Sequence, residues 1–181
     1  MKIRTIAGLV AIIALVSVLP VPAAIQTDAE KDAKDVAEAI ALFKNSDKQL
    51  TTWFDAAYGY VVFPNITKGA VGVGAASGSG RVFEQKAYIG DARVTQVTIG
   101  AQLGGQAFSE VIFFENKDAL DRFKQDRFEM TAGLSAVAAA EGASRDAKYT
   151  QGVAVFTVAK KGLMAEASVG GQKFKFTAIK K

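Results

Sequence analysis

The chain contains no cysteine and no histidine. It can therefore form no disulfide bond, no thiolate zinc site, no cysteine nucleophile and no His-dependent catalytic triad. It also lacks the G-x-x-x-x-G-K-[ST] phosphate loop, and its glycine clusters lack the spacing and the following helix that a dinucleotide fingerprint requires. We therefore expect no metal site, no cofactor and no catalytic residues, and we predict that the protein is not an enzyme.

The N-terminus has the three parts of a secretory signal peptide. Lys2 and Arg4 form a charged start, residues 6–19 are continuously apolar or small, and residues 20–24 supply a break followed by small side chains. The apolar run is shorter than the roughly 20 residues that span a bilayer. We therefore predict that the protein is periplasmic or secreted, and a retained N-terminal anchor is the alternative.

Cleavage after Ala23 or Ala24 would remove residues 1–23 and leave residues 24–181, a length that suits one globular domain with its own core. Loss of the signal peptide lowers the formal net charge from +4 to +2, so the mature protein is only mildly basic. Nucleic-acid binding needs a concentrated basic face. We expect no nucleic-acid partner.

Residues 27–57 are predicted to be a helical lead-in, with a second, shorter helical turn at residues 50–57. Thr27 and Glu30 have the spacing of a capping box, and apolar residues then recur at three and four spacing to about Phe43. The opposite face carries more acids than lysines, whereas membrane-surface helices are rich in Lys and Arg there, so we interpret this helix as docked on the core. The apolar stripe consists of Ala29, Ala33, Val36, Ala37, Ile40, Ala41 and Phe43.

A β-rich body is predicted over residues 58–181. Its first strand is expected to stop at Pro64 and to turn through residues 65–69 into a second strand. One side of that second strand carries only Gly and Ala over residues 72–76, and residues 94–104 show a similar pattern. Because glycine inside a strand costs stability, we expect another backbone, a helix or a ligand to lie against these bare sides.

The remaining pattern predicts an α+β fold. Residues 78–80 and 90–91 are interpreted as turns, and Asn116 is expected to cap an internal helix that ends near residue 128. Residues 130–141 are predicted as a strand, with helix as the alternative, because small residues give little period to count. The other predicted strands are residues 81–89, 106–115, 152–159, 163–169 and 173–179. Hairpins between the last three favour a coiled antiparallel or barrel-like sheet, with the N-terminal helix and the internal helix packed on it.

Glu110 is the one acid that shares a strand face with large apolar side chains, namely Phe108, Ile112 and Phe114. A carboxyl group in that position is ion-paired, lies at a sheet edge or has a raised pKa. The sequence does not choose among these alternatives. It offers no partner acid or base, so a catalytic role is the least favoured.

Positive charge gathers in residues 160–181, which contain six lysines and one glutamate. In the last strand Lys173 and Lys175 share one face, while Phe174 and Phe176 share the other. A basic surface backed by aromatic residues suits anionic lipid headgroups. Lysines on an edge strand also protect it from aggregation, and the sequence favours neither interpretation over the other.

Five short blocks are spaced along residues 50–181, namely residues 58–64 (YGYVVFP), 68–74 (KGAVGVG), 100–106 (GAQLGGQ), 110–114 (EVIFF) and 162–171 (GLMAEASVGG). In their order and spacing they resemble the SYLF domain family. The resemblance implies a lipid-binding module, since eukaryotic members bind phosphoinositides and some bind actin filaments, while bacterial members are commonly exported. The acidic N-terminal helix departs from the amphipathic segment to which eukaryotic lipid binding is attributed.

An exported bacterial protein would meet neither actin nor phosphoinositides in its own cell, so only lipid binding as a class is carried over. We expect a non-catalytic module that associates with anionic phospholipid or a membrane surface. Candidate contacts are Lys68, Arg81, Lys173 and Lys175. The alternative is a structural or protein-interaction component of the cell envelope with no lipid ligand.

Overall fold

The computed structural model describes residues 27–71, 73–99, 106–125, 136–160 and 171–179. The predicted signal peptide, the predicted strand at residues 163–169 and the first half, residues 130–135, of the ambiguous segment 130–141 lie outside these residues. So do Gly72, the residues of the 94–104 strand from 100 onward, and the expected end of the internal helix near residue 128.

Within these described residues, three helices and seven strands form an α+β fold, as predicted. In chain order they are α1 (Asp28–Ser46), α2 (Leu50–Ala56), β1 (Gly59–Val71), β2 (Val73–Glu84), β3 (Ala87–Ile99), β4 (Gln106–Phe114), α3 (Lys117–Lys124), β5 (Val137–Ala138), β6 (Val153–Ala159) and β7 (Gln172–Ala178). The strands form one sheet in the order β5-β6-β4-β1-β2-β3-β7. Neighbouring strands are antiparallel except β5 and β6, which are parallel, so the sheet is mixed.

The sheet is open, with β5 and β7 at its two ends, so the expected barrel-like or coiled closure was wrong. Both predicted C-terminal hairpins involve residues 163–169 and therefore lie outside the described residues; within the described residues β6 pairs with β4 and β5, whereas β7 pairs with β3. Hairpin signals in sequence report local turns and do not specify which sheet edge a later strand joins.

Helices cover both faces of the sheet. On one face, α1 and α2 pack on a core cluster that includes Phe43, Phe54 and Phe113. On the other face, α3 contributes Leu120 and Phe123 to a second cluster. The sheet is thus the middle layer, and each strand buries side chains in both directions over the part that helices cover.

α1 starts at the predicted capping box, but only part of the predicted apolar stripe is buried. Thr27 Oγ1 accepts from Glu30 N, and a Glu30 carboxylate oxygen accepts from Thr27 N, which completes the capping box. Val36 and Phe43 are buried as expected, whereas Ala37 is exposed. The alanines carry little hydrophobic surface, so the larger side chains decide which side of the helix faces the sheet. Of the predicted stripe, Ala29 and Ala41 are also exposed, and Ala39 is buried instead.

The first strand does not stop at Pro64, which corrects the sequence interpretation. β1 runs through this proline, and its register with β2 shifts between Val62 and Asn65. Proline has no N–H to donate, and a bulge removes the need for one. Ser109 Oγ donates to the Pro64 carbonyl at 2.8 Å, so the irregular backbone retains a buried partner. The predicted turn at residues 65–69 is therefore part of β1.

The expected turns at residues 78–80 and 90–91 are also continuous strand. The turn between β2 and β3 lies at Gln85 and Lys86, both of which have positive φ. Glycine was read as a turn signal at 78–80, but its function here is to admit close neighbours. A Cβ on Gly80 would lie 2.7 Å from Phe63 Cδ1, and one on Gly78 would lie 3.0 Å from Ile66 Cγ1. At Gly78 and Gly80 this close neighbour is the adjacent strand β1. Of the bare side predicted at Gly72, Gly74 and Ala76, only the side chain of Ala76 is described, and it is buried.

Glu110 is fully buried in the middle of the sheet, so the edge alternative for it was wrong. One of its carboxylate oxygens accepts from Gln172 Nε2 at 2.9 Å. Gln172 belongs to the edge strand β7, which lies four places from β4 in the sheet order. The ring of Phe174 likewise lies 5.8 Å from that of Phe63 on β1. These two contacts join residues of β7 to residues of β4 and β1 on the buried side of the open sheet.

Gly80→Ala is expected to destabilise the fold by about 1–3 kcal/mol, since the new methyl group would clash with Phe63 and force the strands apart. The measurement is the free energy of unfolding from urea titration. Ser77→Ala is the matched control, because Ser77 is exposed on the opposite side of β2, and it should change stability by less than about 0.5 kcal/mol. Equal stabilities of the Gly80 variant and the wild type would contradict the packing described here.

Candidate functional site

One side of β3 and β7 carries exposed polar side chains in two adjacent rows. Along β3 they alternate with the buried Ala92 and Val94, and along β7 they alternate with the buried Phe174. Because side chains of a strand alternate between faces, burial of the apolar set in the core turns the polar set outward. We call this polar set the cationic face; it consists of Asp91, Arg93, Thr95, Lys173, Lys175 and Thr177.

Two cations stand directly opposite each other on the cationic face. Arg93 of β3 is in register with Lys175 of β7, and Thr95 is in register with Lys173. Neither Arg93 nor Lys175 forms a salt bridge to any described residue. Like charges directly opposite each other destabilise a strand pair. The arrangement therefore leaves positive charge available at a cost to the fold.

The N-terminal half of α1 borders the cationic face and forms a groove with it. The groove has a volume of about 370 Å³. Its charged lining comprises Asp32, Arg81, Asp91, Arg93 and Lys175. Val36, Pro64, Ser79 and Thr177 are among the uncharged lining residues. Three cations and two acids thus share one concave site, which we call the α1 groove.

Arg81 ties α1 to the sheet at one side of this groove. Its Nη2 donates to the Ala29 carbonyl at 2.6 Å, and its guanidinium lies 4.7 Å from the centre of the Tyr88 ring. The Tyr88 hydroxyl donates to Asp91 at 2.9 Å. Burial, and then this hydrogen bond to a carboxylate, raise the pKa of Tyr88. Arg81 is thereby held by α1 and an aromatic ring, although Asp91 is its register partner on β3.

The structure brings together three of the four site residues predicted from sequence. Arg81 and Lys175 both line the α1 groove, and Lys173 lies two residues from Lys175 on the same exposed side of β7. Lys68 is placed elsewhere, since its backbone is in register with Ala76, five residues from Arg81 along β2. Five residues of strand span roughly 17 Å. The side chain of Lys68 is outside the described residues.

Arg93 and Asp91 were missed by the sequence interpretation, because residues 90–91 were read as a turn. The signal that could have found them is the alternation of polar Asp91, Arg93 and Thr95 with small or apolar neighbours. This period-two pattern marks a half-exposed strand. A continuous β3 would have placed Arg93 beside the lysines of the last strand.

Charged side chains of α3 pair with one another and with Glu84 of β2. Asp121 accepts from Lys117 and lies 2.7 Å from Lys124, which also lies 3.4 Å from Glu84. The hydrogen bonds from Lys117 and Lys124 lower the pKa of Asp121. Within the described residues no cluster of acids suits a metal ion, and no helix among them is long and apolar enough to cross a bilayer.

The fold and this site define a small α+β domain with a cationic sheet face, and comparison with known proteins assigns its family. Residues 95–178 match the family model described as Ysc84, Las17-binding protein actin regulator. A protein of Aeromonas veronii named beta cell expansion factor A is 32% identical over 139 residues, which cover 75% of this chain and 51% of that protein. The chain therefore spans about half the length of the curated relative it matches. It belongs to the Ysc84/SYLF domain family, as the sequence blocks indicated, and this family is not known as catalytic.

Lys175→Gln is expected to raise the free energy of unfolding by about 0.2–1 kcal/mol at low ionic strength, because it removes a like charge opposite Arg93. The gain should vanish in 1 M salt, where the Debye length is only about 3 Å. Lys148→Gln, in an exposed loop, is the control and should be neutral. A Lys175→Gln variant less stable than wild type by more than about 1 kcal/mol would show that Lys175 has a stabilising partner.

Proposed function

We propose that this chain is an exported, non-catalytic SYLF-domain module that associates with anionic phospholipid at a membrane surface through its cationic face. The observation that carries the proposal is the register pair of Arg93 and Lys175, two exposed cations that repel each other and have no salt-bridge partner among the described residues. Residues kept at a cost to the fold suggest selection for contact with something negative. Export rests on the N-terminal signal pattern of residues 1–23, which lies outside the described residues.

The charge available on the cationic face sets the strength of the proposed contact. A cation near an anionic membrane contributes about 1 kcal/mol, and the three cations of the face less the exposed Asp91 leave a net charge of +2, which supplies about 2 kcal/mol. A gain of 1.4 kcal/mol is a tenfold change in affinity, so this charge corresponds to roughly a 30-fold enrichment. Such binding is reversible and salt-dependent, as expected of a peripheral protein.

The alternative is a protein-interaction component of the cell envelope. The family description favours it, because that description names a protein partner, Las17, and the regulation of actin. These partners belong to the family description and are not carried to an exported chain. A basic surface that binds an acidic protein would have the same side chains, so the two candidate functions differ in what the surface binds.

Vesicle flotation distinguishes these functions. The purified protein should float with vesicles of phosphatidylglycerol and phosphatidylcholine at low salt, and less with phosphatidylcholine alone. Lys173→Glu with Lys175→Glu should lower the partition constant roughly 30-fold or more, because at least two favourable charges of about 1 kcal/mol each are lost.

Lys48→Glu with Lys148→Glu is the matched control, because it makes the same change in net charge at exposed positions away from β7. The loop that contains Lys148 is joined to the α1–α2 turn through Ser144 N, which donates to Asp47 at 2.8 Å, and it follows β5 at the opposite end of the sheet. The control should retain binding. Equal losses of vesicle binding in both double variants would show that only the net charge of the protein matters and not the position of the lysines. No flotation of the wild type with anionic vesicles would refute the binding of anionic lipid.

A further inference from the structure

The α1 groove holds separated positive and negative side chains. This arrangement favours a ligand that carries both charges over a surface of one charge. Arg93 and Lys175 form a cationic row, and Asp91 lies two residues from Arg93 on the same side of β3. Asp32 adds a second carboxylate from α1 across the groove. Side chains two residues apart on a strand are roughly 7 Å apart. A positive and a negative subsite therefore lie side by side.

These opposite charges do not neutralise each other inside the groove. Arg81 is the register partner of Asp91, yet no salt bridge joins them in the described part of the chain. The Arg81 guanidinium instead donates to the Ala29 carbonyl and lies over the Tyr88 ring. Asp91 accepts from the Tyr88 hydroxyl through one oxygen. Its position is thereby fixed while its charge is not paired with Arg81.

We propose that the α1 groove binds a phosphate ester that carries a primary ammonium group, the chemistry of a phosphoethanolamine headgroup. The phosphate lies between Arg93 and Lys175, because an arginine fork and a lysine ammonium are both strong phosphate donors. The ammonium lies against Asp91 and Asp32. A ligand with only negative groups would meet these two carboxylates, whereas a zwitterion satisfies both rows.

The volume of the groove is compatible with this ligand class. Small-molecule sites begin at roughly 300 Å³, and the α1 groove has about 370 Å³. Ser79 and Thr177 supply neutral hydroxyl groups among its lining, next to the charged rows. The small headgroup fits between α1 and the sheet, and any acyl chains would extend from the open side of the groove.

The ligand could be a lipid headgroup or a free phosphate ester, and the lipid source rests on the proposed function above. Soluble probes test the groove itself, by calorimetric titration of the purified protein with phosphoethanolamine, inorganic phosphate, ethanolamine and phosphocholine. We expect phosphoethanolamine to bind at least fivefold more tightly than each of the other three. Phosphocholine should be weaker because its quaternary ammonium cannot donate hydrogen bonds to Asp91 and Asp32.

Two variants, each of which removes one charge, test the negative and the positive subsite separately. Asp91→Asn should lower phosphoethanolamine affinity to that of inorganic phosphate without weakening inorganic phosphate, and Arg93→Gln should weaken both by at least fivefold. The matched control is Arg145→Gln with Asp146→Asn, in an exposed loop outside the groove, which should bind like wild type. Unfolding curves of all variants show that they are folded.

The outcomes separate this inference from the proposed function. Equal affinity of the wild type for phosphate and phosphoethanolamine, or no effect of Asp91→Asn, overturns the inference even if anionic vesicles still bind. Phosphoethanolamine binding that follows the expected variant pattern supports the groove. If it occurs while vesicles of phosphatidylethanolamine and phosphatidylcholine fail to float the protein, it supports a soluble phosphate ester as the ligand and refutes a lipid headgroup.

Discussion

The side chains of Phe63 and Ile66 on β1 lie directly over two glycines of β2, and this contact determines how the rest of the sheet presents its residues. Gly80 and Gly78 have no Cβ, so the two strands approach closely enough to bury the large side chains between them. The same side of the sheet buries Val94 of β3 and Phe174 of β7. Once these apolar residues face inward, the alternation of a strand leaves their polar neighbours no other direction than outward.

The cationic face is therefore a consequence of core packing as much as of surface chemistry. Arg93 follows from the burial of Val94, and Lys175 follows from the burial of Phe174. A shift of one residue in the register of β7 would put its lysines into the core. The contact of Gln172 with buried Glu110, together with the ring contact of Phe174, holds β7 in its observed register. The buried pair of Glu110 and Gln172 thus stabilises the register of β7, and this register keeps the lysines of β7 exposed.

The parts of this fold that follow from local chemistry could be predicted from sequence. The capping box of α1, the Asn116 cap of α3 and the two-sided pattern of β7 all depend on neighbours within a few residues, and each is observed. Pro64 and the glycines at 78, 80 and 90 were misread, because local rules assign them to turns. In a sheet a bulge accommodates the proline and adjacent strands use the space left by glycine, which are tertiary effects.

The candidate site was only partly predictable for the same reason. The sequence indicated Arg81 as a cation at the end of a predicted hairpin, and Lys173 and Lys175 as cations on one side of the last strand. Their proximity depends on β7 pairing with β3, far from β6. No pattern in the sequence specifies that pairing. Arg93 belongs to the site because β3 is continuous through residues 90 and 91. The Ysc84/SYLF family is not known as catalytic, and the cationic face gives this particular chain a physical basis for its proposed ligand.

The absence of cysteine allows one direct measurement of the central claim, which is that the outward side of β3 and β7 contacts the membrane. A single cysteine at Thr95 or, as a reference, at Lys148 can carry an environment-sensitive dye, since both positions are exposed. Addition of anionic vesicles should shift the emission of the dye at position 95 to shorter wavelength and leave that at position 148 unchanged. A shift at position 148 alone, or at neither position while the protein is bound, would contradict the account.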